Sequence, residues 1–289
     1  MPRLDLELLR RGLARSRTHA AALIAEGRVA LSGSTITKAS TQVQGTDQLT
    51  VSSAGPEYVS RAGHKLAGAL EAFDGVVVEG KRCLDAGAST GGFTDVLLRA
   101  GAATVVAVDV GHGQLVPELR QHDRVDVHEG LNVRYLRAED IGGPVQLTVC
   151  DLSFISLTLV MAALAEVTEP GGDMVVMVKP QFEVGRSNLS HTGVVTSGRE
   201  RLNAVGKVLR CVLDSGLQIE NVVPSTLPGQ DGNLEYFLWI KVPKVDSLPR
   251  IGTEPESAPT DPADIESAKY EAVVASWLAT LKEQTTEGR

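Results

Sequence analysis

Apolar and polar positions along this chain follow two different periods, and the switch between them marks its organisation. In residues 4–26, "LDLELLRRGLARSRTHAAALIAE", apolar side chains recur at helical spacing, first Leu6, Leu9 and Leu13, then Ala21, Leu23 and Ile24. Gly12 and Ser16 divide the pattern into two short helices. Three short β-type runs follow, Val29 to Leu31, Thr35 to Ile36 and Gln48 to Val51, separated by Ser-Gly and Gly-Thr turn signals. Two helices and a small hairpin sheet predict a compact α+β module over residues 1–55. "SSAGPEY" then reads as a linker, so residues 56–64 are expected to hold its end and the start of a helix. That helix, "SRAGHKLAGALEAF", is predicted with Ser60 as its cap and Leu66, Leu70 and Phe73 inward.

From Lys81 onward, short apolar strands alternate with helical stretches, from "RCLDAG" and "GGFTDVLLRAG" through "ATVVAVDVG", "VQLTVCDLS" and "DMVVMVKP" to "RERLNAVGKVLRCVLDSG", "LQIENVVPS" and "LEYFLWIKV". That rhythm predicts a doubly wound parallel sheet over residues 65–243. Only "TLPGQDGN" separates the last two strands, too little for a crossover helix, so the final strand is expected to run antiparallel. Residues 244–289 begin proline-rich and acidic and end in a possible helix near residues 263–283. They are expected to form a solvated, replaceable extension.

Composition refines this picture in two ways. The chain has 289 residues, is 43% hydrophobic and 22% charged, and shows no apolar stretch of ~18 residues and no charged start leading into an apolar run, so neither a membrane span nor an export signal is expected and a cytoplasmic location is. Cys83, Cys150 and Cys211 lack paired spacing and the six histidines are scattered, so no metal site is expected. The formal charge of −8 is unevenly distributed. Residues 1–65 carry nine Lys/Arg against five acids, a net of +4, which leaves −12 on the remainder. A basic module on an acidic body is the asymmetry of a phosphate-docking part joined to a part that does chemistry.

The candidate chemistry lies at strand ends. "CLDAGASTGGF" runs from strand to glycine-rich turn to helix, with D-x-G-x-x-x-G-G spacing rather than the G-x-G-x-x-G of dinucleotide binders. Asp109 closes the next strand, where an acid can accept from both hydroxyls of a bound ribose. Lys179 ends the apolar run "MVVMV" and is followed at once by Pro180, which cannot continue the ladder. Lys65, Asp151 and Glu235 are likewise the charges in, or at the edge of, apolar runs. An ionisable group there is costly unless it has partners or a task.

These motifs resemble known families. Arg3-Leu4-Asp5, "GLARSR", "LIAEGRVALSG", Lys38 and "VQGTD" together resemble the S4 RNA-binding domain. "LDAGASTGGF" is similar to the first motif of the S-adenosylmethionine-dependent methyltransferases, whose sheet ends in an antiparallel strand. The order Lys65, Asp151, Lys179, Glu235 resembles the K-D-K-E tetrad of the FtsJ-like ribose 2′-O-methyltransferases. With "DLSFISL" and "VKPQFEVG" beside an S4 domain, residues 3 to about 243 resemble the TlyA family, historically called hemolysins. The resemblance implies a Rossmann-like, seven-stranded methyltransferase domain preceded by a small S4 domain. It implies S-adenosyl-L-methionine as cofactor, with Asp85, Gly87, Ser89, Gly91 and Phe93 in the cofactor loop, Asp109 on the ribose and Asn132 near the adenine. It implies that Arg3, Arg10, Arg11, Arg15, Arg17, Arg28 and Lys38 bind RNA. Lys179 would act on a ribose hydroxyl, with Asp151 and Glu235 bracketing it and Lys65 balancing the charge. The expected reaction is 2′-O-methylation of cytidine in 16S and 23S rRNA, with ribosomal RNA of the small and large subunits as partner and altered susceptibility to capreomycin- or viomycin-type antibiotics as a consequence.

Three rival classes make different demands. A secreted pore-forming hemolysin needs an export signal and membrane-active segments. A small-molecule oxidoreductase needs the dinucleotide spacing and leaves the N-terminal module without a role. A non-catalytic RNA-binding ribosome factor gives the four charged residues no task.

Overall fold

Near the N-terminus the helical spacing closes on a small core of its own. Helices α1 (Leu4–Arg10) and α2 (Arg17–Ala25) bury Leu4, Leu8, Leu23 and Ile24 completely. They pack with Val29 and Leu49 of a three-stranded antiparallel sheet, β1 (Val29–Leu31), β2 (Ser34–Thr35) and β3 (Leu49–Val51), in the order β2-β1-β3. In this computed structural model residues 2–25, 28–51, 58–185, 189–190, 192–229, 232–244 and 262–287 are described. The chain forms two units, Met1–Glu57 and Tyr58–Arg289. The second unit thus begins before residue 65, and its first helix belongs wholly to it. The proline-rich stretch 245–261 lies outside the described residues.

Two carboxylates of α1 are buried, Asp5 and Glu7. Arg3 donates to Asp5 at 3.0 Å and Arg17 at 2.9 Å, while Arg10 and Arg11 donate to Glu7 at 2.6 and 2.7 Å. Hydrogen bonds from Arg3, joined by Arg17, hold Asp5 down at about 2, and those from Arg10 and Arg11 hold Glu7 there too.

The second unit opens with α3 (Arg61–Ala72). Ser60 stands at its N-cap without a side-chain capping bond, contrary to expectation. Gly92 packs so closely that a β-carbon there would meet Ser60 Oγ at 2.2 Å, which turns the hydroxyl to packing. The sheet follows with β4 (Arg82–Ala86), α4 (Gly92–Arg99), β5 (Thr104–Asp109), the single turn α5 (Pro117–Arg120), β6 (Val125–Glu129), β7 (Val145–Cys150), α6 (Met161–Val167), β8 (Thr168–Val178), α7 (Pro180–Glu183), α8 (Gly198–Asp214), β9 (Gln218–Pro224) and β10 (Tyr236–Lys241). The strand order is β6-β5-β4-β7-β8-β10-β9, parallel from β6 to β8, with β10 antiparallel to both neighbours. Alternate residues feed opposite faces. Cys83, Val105 and Ala107 pack with α3 and α4, while Leu84, Val106 and Val108 pack on the other side. Burial on both faces is why these strands read as continuous apolar runs.

The C-terminal helix α9 (Pro262–Glu287) corrects the expectation of a solvated tail. Val274 and Leu281 are buried in the same core as Val205 and Leu209 of α8, with Trp277 and Leu278 beside them. A β-carbon at Gly206 would meet Leu278 at 3.3 Å, so the small residue lets α9 lie close.

Candidate active site

Chain topology brings the four predicted charged residues to one edge of the sheet. Asp151 follows β7, Lys179 follows β8 and Glu235 precedes β10. Because β10 runs antiparallel, with Tyr236 opposite Val178, its start lies at the same edge as the end of β8. Lys65 reaches that edge from α3 and is buried.

The four side chains form two ion pairs. Lys179 Nζ lies 2.6 Å from Asp151 Oδ1 and donates to Ser153 Oγ at 2.9 Å. Lys65 Nζ donates to Glu235 Oε2 at 2.6 Å, with Glu235 nearly fully buried. Glu235 therefore pairs with Lys65 and does not bracket Lys179 alongside Asp151, which corrects the sequence expectation. Gln181 Nε2 approaches the other oxygen of Glu235 at 3.5 Å. Lys65, Lys179 and Glu235 line a cavity of about 750 Å³ together with Ser153, Phe154, Gln181, Phe182 and Asn233.

A second cavity of about 460 Å³ is lined by Gly87, Ser89, Asp109, Asn132 and Asp151, and it shares the wall Ser153, Phe154 and Ile155 with the first. Gly87 takes φ +91°, and a β-carbon there would meet the Asp151 carbonyl oxygen at 2.7 Å, so only glycine lets β4 and β7 end this close together. Asp109 accepts from the backbone N–H of Ser89 at 2.8 Å and of Gly111 at 2.7 Å. Those bonds fix its carboxylate and leave lone pairs for further donors. Asn132 borders the cavity while its side chain accepts from Arg134 N–H.

Other predicted loop residues lie beneath the cavity. Asp85 is fully buried, accepts the Thr94 hydroxyl at 2.6 Å through one oxygen, and has its other oxygen unpartnered. Burial raises its carboxyl to about 7 against the opposing Thr94 bond, with Asp151 adding to the rise. Phe93 is buried with its ring centroid 6.1 Å from that of Phe237, and Gly91, at φ +99°, is the N-cap of α4 over Leu115 and Leu119. Neither Asp85, Gly91 nor Phe93 borders either cavity, because each faces the packed interior below the turn.

Residues that sequence reasoning missed stand in the loop after β7. Ser153 contacts Lys179. Phe154 is 91% exposed, takes φ +65°, and has its ring 5.2 Å from that of Phe182.

In the first unit Arg3, Arg10 and Arg17 remain largely exposed beyond their carboxylates. Arg11 is different. It donates to Glu7 and to the carbonyls of Gln44, Gly45 and Asp47, which ties α1 to the loop before β3. Lys38 is exposed.

A seven-stranded sheet with an antiparallel last hairpin, a glycine turn after its first strand and an acid after its second defines a methyltransferase fold of the S-adenosylmethionine-dependent class. The FtsJ-like methyltransferase model matches residues 58–242 and the S4 domain model residues 2–49. The chain belongs to the TlyA family. It is 50% identical over 253 residues, 87% of this chain and 94% of the relative, to the 16S/23S rRNA (cytidine-2′-O)-methyltransferase TlyA of Mycobacterium tuberculosis. It is 37% identical to Hemolysin A of Brachyspira hyodysenteriae, covering 81% of this chain and 98% of that one. A solved structure from Streptococcus thermophilus that carries a hemolysin name superposes with a TM-score of 0.69 at 32% identity, covering 99% of this chain and 98% of that one. Among the described residues no helix is long and apolar enough to cross a membrane.

Proposed function

We propose that this protein methylates the 2′-hydroxyl of cytidine in ribosomal RNA, in both 16S and 23S rRNA, and thereby sets susceptibility to capreomycin- and viomycin-type antibiotics. The observation that carries the reading is Lys179, which lines the larger cavity and stands beside Asp151 of the smaller cavity and Ser153 of their shared wall.

The residues of the smaller cavity suit S-adenosylmethionine. Gly87 leaves room for close approach to backbone, and Asp109 can accept from ribose hydroxyls. When bound, this cofactor supplies a methyl group on a sulfonium. The methionine end would lie at Gly87 and Ser89, the ribose at Asp109 and the adenine near Asn132.

A ribose hydroxyl keeps its proton at neutral pH and must be aimed and deprotonated for in-line attack. Asp151 and Ser153 take two of the three directions open to the Lys179 nitrogen, and the third serves the substrate oxygen. Lys179 first passes a proton to the Asp151 carboxylate 2.6 Å away, and its neutral amine then accepts the hydroxyl proton as the oxygen attacks the methyl group. Lys65 and Glu235 neutralise each other in the cavity wall, so no unpaired charge competes for the RNA. The exposed ring of Phe154, with Phe182 behind it, offers a face to a base turned into the larger cavity.

Incubating the protein with unmodified ribosomal subunits and methyl-labelled cofactor, then mapping alkali-resistant ribose, tests this directly. One labelled cytidine in each subunit is expected. Label confined to one subunit would remove the dual-substrate part, and label on a base would overturn the role of Lys179.

A further inference from the structure

We propose that Glu183 is a positioning residue that locks the loop after β7 against the segment carrying Lys179, an inference that rests on the methyltransferase reading above. Its carboxylate is 1% exposed. One oxygen accepts the Leu157 N–H at 2.7 Å and the other accepts the Ser156 hydroxyl at 2.5 Å. Lys207 of α8 stands 3.7 Å from the second oxygen and donates to the Glu183 carbonyl at 3.3 Å.

A buried carboxylate is costly, and an apolar side chain would fill this space without that cost. The acid adds direction, because two successive loop residues are held by two oxygens of one rigid group. Glu183 lies four residues after Lys179, and Ser156 and Leu157 lie five and six after Asp151. The two segments are therefore joined twice, at the surface by Lys179 with Asp151 and Ser153, and in the interior by Glu183. Between the joints stand Phe154 and Ile155, the wall common to both cavities. Phe154 is held at φ +65°, a conformation that a bulky residue keeps only where its surroundings impose it. Glu183 is the group that fixes the chain on the far side of that residue. It lines neither cavity itself, so its effect on the reaction passes through Ser156, which lines the larger one, and through the loop to Phe154, Ser153 and Asp151.

The test compares Glu183→Ala, Glu183→Gln and Ser156→Ala in the full chain on ribosomal subunits, with rates expressed per cofactor-binding site so that unfolded protein is not counted. Glutamine can accept from Leu157 N–H and donate to Ser156 Oγ, so it should keep kcat within about threefold of wild type. Alanine should lower kcat about 10- to 100-fold, the scale of a small misplacement of reacting groups, with KM for the subunit little changed. Wild-type kcat in Glu183→Ala overturns the proposal. So does a Gln variant as slow as the Ala variant, or a raised KM with kcat kept. If the Ala variant binds no cofactor, Ser156→Ala decides, with a several-fold loss of kcat expected and an unchanged kcat overturning the assignment. A wild-type chain that transfers no methyl group removes the underlying reading as well, whereas an active wild type equalled by Glu183→Ala removes this inference alone.

Discussion

At Lys179 the proposed chemistry rests on one nitrogen, which stands 2.6 Å from Asp151 and donates to Ser153. Lys179→Ala should abolish methyl transfer, a loss on the order of 10²–10⁴ for a positioned proton acceptor, while cofactor affinity by calorimetry stays within a few-fold. Turnover close to wild type would remove the lysine from the reaction. Asp109 makes the opposite prediction. Its carboxylate is held by Ser89 and Gly111 at the smaller cavity, so Asp109→Ala should forfeit about 1.5–3 kcal/mol, roughly ten- to a hundredfold in cofactor affinity. An unchanged affinity would place the ribose elsewhere. Asp85 should show itself in pH dependence. Its carboxyl sits at about 7 in the folded chain, against ~3.9 for an unperturbed aspartate, so the folded state holds the proton more tightly across that window. Its contribution to stability is complete below ~4 and is lost as pH rises through about 7. Asp85→Asn should therefore raise Tm at pH 8 relative to wild type and flatten the decline in Tm between pH 5 and 8. Parallel profiles for the two proteins would contradict the buried-acid account.

The elements differ in how far the sequence discloses them. Strand ends marked by Asp85, Asp109, Asp151 and Lys179 are legible because a charge in an apolar run is costly and so sits where a run stops. The antiparallel final strand follows from the short connection before it. The pairing of Glu235 with Lys65 is not legible, since it depends on how α3 crosses the edge where β10 begins, a relation between segments 170 residues apart. Phe154 was hidden for a similar reason, because its exposure and positive φ belong to the folded loop and no local pattern encodes them. The docking of α9 was legible and obscured. Val274, Trp277, Leu278 and Leu281 fall at i, i+3, i+4 and i+7, one helical stripe, but the acidic, proline-rich residues before them suggest a solvated tail. Since Leu281 is fully buried, Leu281→Ala should destabilise the methyltransferase unit by about 2–5 kcal/mol, read as a lower denaturation midpoint with unchanged slope. A shift below ~0.5 kcal/mol would restore the view of α9 as a dispensable extension.

Across the whole molecule, two separately built units carry opposite net charge, +2 on residues 1–57 (seven Lys/Arg, five acids) and −10 on the rest, and the proposed function divides between them. Among the described residues, none beyond Val51 enters the N-terminal core and none before Tyr58 enters the others. Deleting residues 1–57 should thus leave a folded unit that binds cofactor but barely modifies ribosomal subunits, because an acidic body by itself repels a polyanion. Reversing charge within the basic module is a less clean experiment than its sequence suggests. Arg17 pairs with buried Asp5 and Arg10 with buried Glu7, so a carboxylate at either position would face another buried carboxylate and unsettle the fold. Arg11 is bound to Glu7 and to three backbone carbonyls, and its loss should reduce stability more than RNA affinity. Lys38 is exposed on the same unit and is the better probe. Subunit binding by the full chain should weaken steeply with salt, and Lys38→Ala should lower the magnitude of that slope by about 1 if the lysine meets one phosphate, while leaving cofactor affinity and Tm unaltered. Filter binding across a salt series, run on wild type, Lys38→Ala and the deletion, measures all three slopes on one scale. A deletion variant that binds and methylates subunits like the full chain would show that the basic module is not the docking element.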